Sequence, residues 1–526
     1  MKSKQFIQTD WLTLLLFTAL VFLLRFPSFF EFGVGNGGDE GLYLLMARDW
    51  LEGKLPYTGI WDNKPVGIYI FYSLGLTLFS KAIVAIPILA CVAVSISCLL
   101  LYKLGRLIGG SDSLLGLLAG ILYAVFSVGT DELTANTEIF FIPFTLFSFY
   151  QLFQVKTSNS KWQNSVKLLL IGLAMGIALM IKQVVIFELI AIIILTVIIL
   201  RFPGAKRSRY KLKDLLQAQV FLISGFITPS ILVALYFLGN GHFSDYVYAN
   251  FTANFLRVSG EELTIGSIGA GFLIQIKRNL FLLLGLFLTP FYMISASKNA
   301  GEKRKLIYLI IWTFAAFLGV SSPKSFYAHY FFQLLPPLSL LTAYLIRNTV
   351  LKAGVLDSKT KLIVLSMIFV SPMFNNLYPI LNRGGKHLYF NYIKGVEDWG
   401  NTPGAIGKYL RQRVGDKDYI YVFNYYAVIY DLVPAKNPTK YAFPLFVTSD
   451  LSKIAGINPV IELDLIMAKK PLYIVKGAYA VDNVEVSDKM NNYLKKYYIF
   501  EKTFIDVERE LTEAESQEIE LYRRVH

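Results

Sequence analysis

The chain has 526 residues, of which 55% are hydrophobic and only 17% charged, and its formal net charge is +14. A soluble core cannot hide that much apolar surface at this length, so a purely soluble globular protein is excluded. The excess Lys and Arg lie in short breaks between apolar runs rather than along a basic stripe, which excludes nucleic acid as a partner.

The N-terminus carries Lys2 and Lys4 ahead of an apolar run from Trp11 to Phe30. No small-residue cleavage site follows, so the run reads as a first transmembrane helix and not as a signal peptide. Further runs fall near 83–102, 113–129, 137–154, 167–182, 184–200, 216–238, 271–295, 306–321, 330–346 and 361–379. Each approaches the length a helix needs to cross a bilayer, which predicts about eleven spans. Cys91 and Cys98 share one face of a single span and are packing residues, since that spacing cannot close a disulfide. Neither cysteines nor histidines cluster as a structural metal site would require.

Loop charges set the orientation. Lys103 and Arg106, Lys156 to Lys167, Arg201 to Lys213, Lys298 to Lys305 and Arg347 to Lys361 all fall on one side, which the positive-inside rule makes cytoplasmic. Residues 31–82, 130–136, 239–270 and 322–329 then form the outer loops. An odd number of spans places the C-terminal part outside as well. The expected setting is a bacterial inner (plasma) membrane, because the tail lacks an obvious endoplasmic-reticulum retention signal.

The first outer loop, 31–82, is long. Gly41–Trp50 is amphipathic, and Pro65–Phe79 is apolar but short for a span; both read as helices lying along the membrane surface. The alternative, Pro65–Phe79 as a true span, would invert every later loop. Residues 1–380 thus form a mainly α, polytopic membrane bundle. Residues 381–526 form a soluble α/β domain, with strands expected at Asp418–Phe423 and Pro471–Val475. An amphipathic helix is expected at Glu485–Tyr497, and an acidic, more exposed segment at Leu511–Glu520.

Chemistry-bearing residues gather in the outer loops. Gly37-Gly-Asp39-Glu40-Gly precedes a helix, and Trp61-Asp-Asn-Lys64-Pro65 follows in the same loop. A carboxylate there can take a proton from an attacking hydroxyl, and Lys64 can neutralise a phosphate. Asp39 can equally be a plain helix cap. Asp131 and Glu138 form a second acidic cluster, Glu138 standing at a helix start where a carboxylate is electrostatically favoured. Lys324, Tyr327, His329, Tyr330 and Gln333 bring donors to the outer end of a span, though tyrosines also serve as interfacial anchors. Lys182 lies between two spans, either snorkelling or contacting a phosphate. His242, Asp245, Tyr248 and Asn250 decorate a further loop that can also be merely polar. Asp39, Glu40, Asp131 and Glu138 could hold a hard divalent cation if they converge.

Over roughly residues 10–380 these elements resemble the GT-C superfamily of membrane glycosyltransferases, particularly the family 39-like branch. That branch contains protein O-mannosyltransferases, lipid A aminoarabinose transferases and bacterial glycan transferases. The resemblance rests on Asp39-Glu40, on Lys64-Pro65, on Asn136-x-Glu138 and on the Tyr330-to-Pro337 run. It departs at Val66, where relatives carry a second proline, and at Trp61, where some carry tyrosine. The resemblance implies an inverting transferase that moves a sugar from a polyprenyl-phosphate donor to a glycan, lipid or protein acceptor. Asp39 would be the general base, with Glu40 beside it. Lys64 would contact the donor phosphate, Glu138 would shape the site, and His329 or Lys324 would add phosphate contacts. Arg257 is the outer-loop candidate for bidentate phosphate binding. The competing readings are a transporter or flippase of lipid-linked glycans and a non-catalytic subunit of a glycan assembly complex.

Overall fold

The computed structural model describes residues 2–31, 38–129, 133–202, 210–260, 265–295, 300–351, 357–361, 366, 370, 373–477, 481–506 and 517–525. Among the described residues, seven helical segments are long and apolar enough to cross a bilayer: Asp10–Phe29, Ala82–Ile108, Lys161–Leu179, Gln183–Arg201, Leu212–Gly239, Ala300–Ser321 and Ala328–Leu351. The expected spans near 113–129, 137–154 and 271–295 fall on the helices Ser113–Phe126, Thr137–Leu152 and Ile265–Ser295. About half of the expected span 361–379 lies outside the described residues, and Asp131 lies outside them too. Several of these helices bury one face in the bundle and leave the other open, whereas Ala328–Leu351 is buried nearly all round. Along Leu212–Gly239 that open face includes Leu216, Val220, Ile227, Ile231 and Leu235, as a lipid-facing surface would. This is an integral membrane protein.

We number the helices used below in chain order: α1 Lys2–Arg25, α2 Gly38–Leu51, α3 Gly67–Leu78, α4 Ala82–Ile108, α5 Ser113–Phe126, α6 Thr137–Leu152, α7 Lys161–Leu179, α8 Ile186–Arg201, α9 Leu212–Gly239, α10 Phe243–Val247, α11 Ala253–Gly260, α12 Ile265–Ser295 and α13 Ala300–Ser321. Small residues let α7 and α9 touch backbone to backbone. A methyl on Gly172 would lie 2.8 Å from the Phe226 backbone N, and one on Gly225 would lie 2.9 Å from that of Leu173. Gly172 and Gly176 sit one turn apart on α7, the spacing by which membrane helices approach closely. Gly172→Leu is expected to cost about 1–3 kcal/mol by forcing these helices apart. A lowered thermal midpoint in detergent checks it; an unchanged midpoint contradicts the close contact.

The long segment 31–82, expected as the first outer loop, differs from a pair of surface helices in one respect. Residues 41–47 of α2 are all buried. A Cβ on Gly41 would meet the Val428 backbone N at 2.6 Å, and Arg48 pairs with Asp431 at 2.7 Å. The apolar side of α2 is therefore covered by protein, including the C-terminal domain, and not by lipid headgroups. The 12 residues of α3 span about 18 Å, too short to cross a bilayer. It exposes Ile70, Leu74 and Leu78 at one-turn intervals, an apolar stripe suited to a membrane surface.

The C-terminal region builds a four-stranded sheet of order β1-β2-β4-β3. Its strands are β1 Ile420–Phe423, β2 Tyr473–Lys476, β3 Tyr498–Asp506 and β4 Gln517–Arg524. β1 and β2 are parallel, and β4 runs antiparallel to both β2 and β3. The expected strands and the helix Val484–Tyr497 are present. The described end of the expected acidic segment, residues 517–520, is strand. It alternates, with Ile519 and Leu521 buried while Glu518, Glu520 and Tyr522 stay more open, which composition alone does not reveal. Helix Tyr378–Leu388 ties this region to the first span: Arg383 pairs with buried Glu31, and His387 lies 3.1 Å from the same carboxylate.

Candidate active site

A cavity of about 450 Å³ opens between one end of the helix bundle and the C-terminal region. One wall is polar and comes from the membrane region: Asp39, Asp62, Asn63, Lys64, Arg257, Tyr327, His329 and Tyr330. The facing wall is mostly aromatic and aliphatic, from Tyr425 and Tyr426 through Phe443, Leu445 and Phe446 to Ile454.

Asp39 stands in the first turn of α2, where the helix dipole favours a carboxylate. Its Oδ2 lies 3.5 Å from Lys64 Nζ and accepts the Tyr43 hydroxyl at 3.2 Å. A quarter of its side chain stays open, so a substrate hydroxyl can reach it. Burial by itself pushes this carboxyl up. Lys64 first, then His329, Arg257 and Lys182 outweigh that effect, holding it below the ordinary carboxylate value.

The 61–66 turn presents Lys64 because its backbone is tied down. Tyr57 donates to the Lys64 carbonyl at 2.9 Å, and Trp61 N–H donates to the Lys440 carbonyl of the C-terminal domain. Burial lowers the Lys64 ammonium, but Asp39 and Asp62 override it and its net shift is upward, so it stays charged. Asp62, a position of the Trp61-to-Pro65 motif with no role expected from the sequence, is a buried wall residue. Its two oxygens accept Asn63 N–H at 2.7 Å and Tyr69 O–H at 2.9 Å. Burial pushes it up to about 6, against the pull of Lys64 and with a further push from Asp39. Two carboxyl groups with opposite shifts thus flank one ammonium, a pattern typical of sites that move protons. A second acid two residues before the candidate lysine is the sequence signal that could have found Asp62.

Behind the wall, Glu138 and Lys182 form a buried ion pair, and the Lys182 ammonium sits 3.8 Å from the Tyr330 ring centroid. Lys182 therefore reaches the cavity through the Tyr330 ring and not by direct contact. His329 and Tyr330 lie on a 3-10 helix, Ala328–Leu334, that follows a turn in which Lys324 and Phe326 both take positive φ. Arg257 is half-buried on α11 and donates to Ser325 Oγ at 3.5 Å.

Other candidates lie elsewhere. Glu40 turns away from this cavity, and its Oε1 accepts the Ala135 backbone N–H; neighbours along a helix point about 100° apart, so Asp39 and Glu40 cannot share one small site. Lys324 donates to the Val258 carbonyl at 2.8 Å and does not line the cavity. His242 pairs with Asp245 on exposed α10. Asn250 is buried and structural: it accepts from Tyr57, and its amide donates to the Tyr246 carbonyl. Asp39, Glu40 and Glu138 do not converge, and among the described residues no three His, Cys, Asp or Glu side chains form a metal-binding group.

The sequence model of the family described as dolichyl-phosphate-mannose-protein mannosyltransferase matches residues 63–242, about a third of the chain. The structure matches ArnT from Cupriavidus metallidurans bound to undecaprenyl phosphate with a TM-score of 0.57 at 14% identity, covering 98% of both chains. The apo state of that protein matches at 0.56 and 13%, again over 98% of both. The chain has the GT-C fold. The match runs through the C-terminal sheet as well as the helices, so the whole chain and not only residues 10–380 shares this GT-C architecture. No curated protein sequence matches it significantly.

Proposed function

We propose that this protein is an inverting glycosyltransferase that takes a sugar from a polyprenyl-phosphate donor at the outer face of the membrane. The observation that carries the reading is the Asp39–Lys64 pair at 3.5 Å within a cavity large enough for a sugar phosphate. The mannosyltransferase family description and the undecaprenyl phosphate bound by the ArnT relative support a lipid-phosphate donor. A bilayer-borne donor also accounts for chemistry placed at the ends of membrane helices.

In this reading Lys64 and Arg257 receive the donor phosphate, and the acceptor hydroxyl approaches Asp39 from the opposite side of the sugar. The acceptor oxygen bonds to the anomeric carbon as the bond from that carbon to the phosphate oxygen breaks. The hydroxyl proton passes to Asp39, and the electron pair leaves with the polyprenyl phosphate. One displacement inverts the anomeric centre. Lys64 couples the two events. Without donor its charge holds Asp39 weakly basic; when it turns to the phosphate, Asp39 becomes a better proton acceptor. Fixed cations beside the leaving group stabilise the charge that develops there.

Lys64→Ala tests the phosphate contact. It is expected to weaken donor use by about 10–100-fold, the worth of one charge-assisted hydrogen bond, with acceptor KM little changed. Kinetics with varied donor check this. An unchanged donor dependence would remove Lys64 from the phosphate site.

A further inference from the structure

Glu188 stands in the first turn of α8 and is 1% exposed. Its Oε1 accepts the Trp312 indole N–H at 2.6 Å, and its Oε2 accepts the Gln333 amide at 2.8 Å. Both partners are neutral. An acid within a membrane span is costly to keep, and where it persists it marks function more often than packing. Both partners are also fixed. Trp312 on α13 stacks on Phe149 with centroids 3.9 Å apart, and a Cβ on Gly319 would lie 2.9 Å from Gln333 Nε2. The Gln333 amide is thus clamped between α13 and the carboxylate.

What Glu188 joins is informative. It follows Lys182 by less than two helical turns, with only the short 3-10 turn Gln183–Val185 between Lys182 and α8. Gln333 follows Tyr330 by one turn of the 3-10 helix that also carries His329. The contact between these two segments that matters to the cavity is Lys182 against the Tyr330 ring, at 3.8 Å. The groups that act on Asp39 are Tyr43 on its own helix, Asp62 and Lys64 from the 61–66 turn, Arg257 from α11, His329 from the 3-10 helix, and Lys182 with Glu138 beside it. Of these, His329 and Lys182 ride on the two segments that Glu188 holds together.

We infer that Glu188 is a positioning residue: through Gln333 it fixes the Tyr330–His329 segment against Lys182, and so holds the Lys182 ammonium and the His329 ring in place around Asp39. The inference rests on the reading of Asp39 as the base. Loosening the tie lets His329 and Lys182 withdraw, so Asp39 protonates more readily. Because the base must be ionised, the acid limb of the pH–rate profile then moves to higher pH.

The test uses the full-length protein in nanodiscs and three variants: Glu188→Ala, Glu188→Gln and Gln333→Leu. For Glu188→Ala, kcat/KM with a polyprenyl-phosphate sugar should fall roughly 10- to 100-fold, as expected for a misplaced wall. Its acid limb should rise by roughly half a pH unit or more. Glu188→Gln should restore most activity and the parent profile, because its oxygen can accept from Trp312 while its NH2 donates to the Gln333 oxygen once that amide flips in place. Gln333→Leu should reproduce the alanine variant, and it keeps the inference testable if Glu188→Ala does not fold. An acid limb that superimposes on the parent's in both Glu188→Ala and Gln333→Leu overturns the inference and leaves Glu188 a packing residue. Binding of polyprenyl phosphate alone separates the two readings. If the parent binds it but transfers no sugar, the transferase reading falls. The positioning role then stands only if Glu188→Ala weakens that binding and Glu188→Gln does not.

Discussion

Asp39→Asn is expected to lower sugar transfer by about 10²–10⁴-fold, the usual loss when a general base is removed. The amide has nearly the same shape as the carboxylate and can still accept the Tyr43 hydroxyl that now lies 3.2 Å from Oδ2. It cannot take a proton from the acceptor. Binding of the lipid phosphate should not suffer and can tighten, because Lys64 loses its anionic partner at 3.5 Å and is freer to pair with phosphate. Lost turnover with retained or improved affinity for the lipid phosphate is therefore the signature of a base. Equal loss of both would mean that Asp39 mainly organises the loop, as a helix cap does. Near-normal turnover would remove it from the chemistry. Initial rates of transfer and polyprenyl phosphate binding, measured on one preparation, decide among these.

Glu138→Ala should produce the largest stability loss. Glu138 and Lys182 are both nearly inaccessible, with side-chain exposures of 2% and 9%. Removing one partner of such a pair leaves an uncompensated buried charge, at a cost of about 3–5 kcal/mol. The Tyr330 ring offers Lys182 a weaker substitute, worth about 2 kcal/mol at most in a desolvated site. A double variant, Glu138→Ala with Lys182→Met, removes both charges and should recover most of the loss, since the two act as one unit. Thermal unfolding in a fixed detergent measures all three proteins. A double variant no more stable than Glu138→Ala would show that the charges do not compensate each other.

The helices were legible in the sequence because a span must satisfy its backbone within itself and show apolar side chains outward, so twenty-residue runs announce it. Asp39 and Lys64 were legible because charges beside a membrane span are conspicuous, and the structure brings them together. Their neighbours were harder. Glu40 follows Asp39 directly, and only the helical rotation between them sends it to the Ala135 amide instead of the cavity. Lys182 looked like a loop cation because its partner, Glu138, lies 44 residues away. The aromatic wall was hidden for a different reason: Tyr425, Tyr426 and Phe446 have the composition of core residues, and only the packing of the C-terminal region against the helices turns part of that core into a cavity lining. The apolar face of α2 likewise fitted a bilayer surface or a protein surface equally well, and contact with Val428 chose the second.

The central claim, transfer from a lipid-phosphate donor, is tested most directly with the purified protein, a radiolabelled polyprenyl-phosphate sugar and a panel of glycan, lipid and peptide acceptors. The account predicts label on an acceptor with inverted anomeric configuration, stoichiometric release of polyprenyl phosphate, and loss of both in Asp39→Asn. Intact labelled donor, moved from one leaflet of a vesicle to the other without being cleaved, would contradict it and make the protein a flippase.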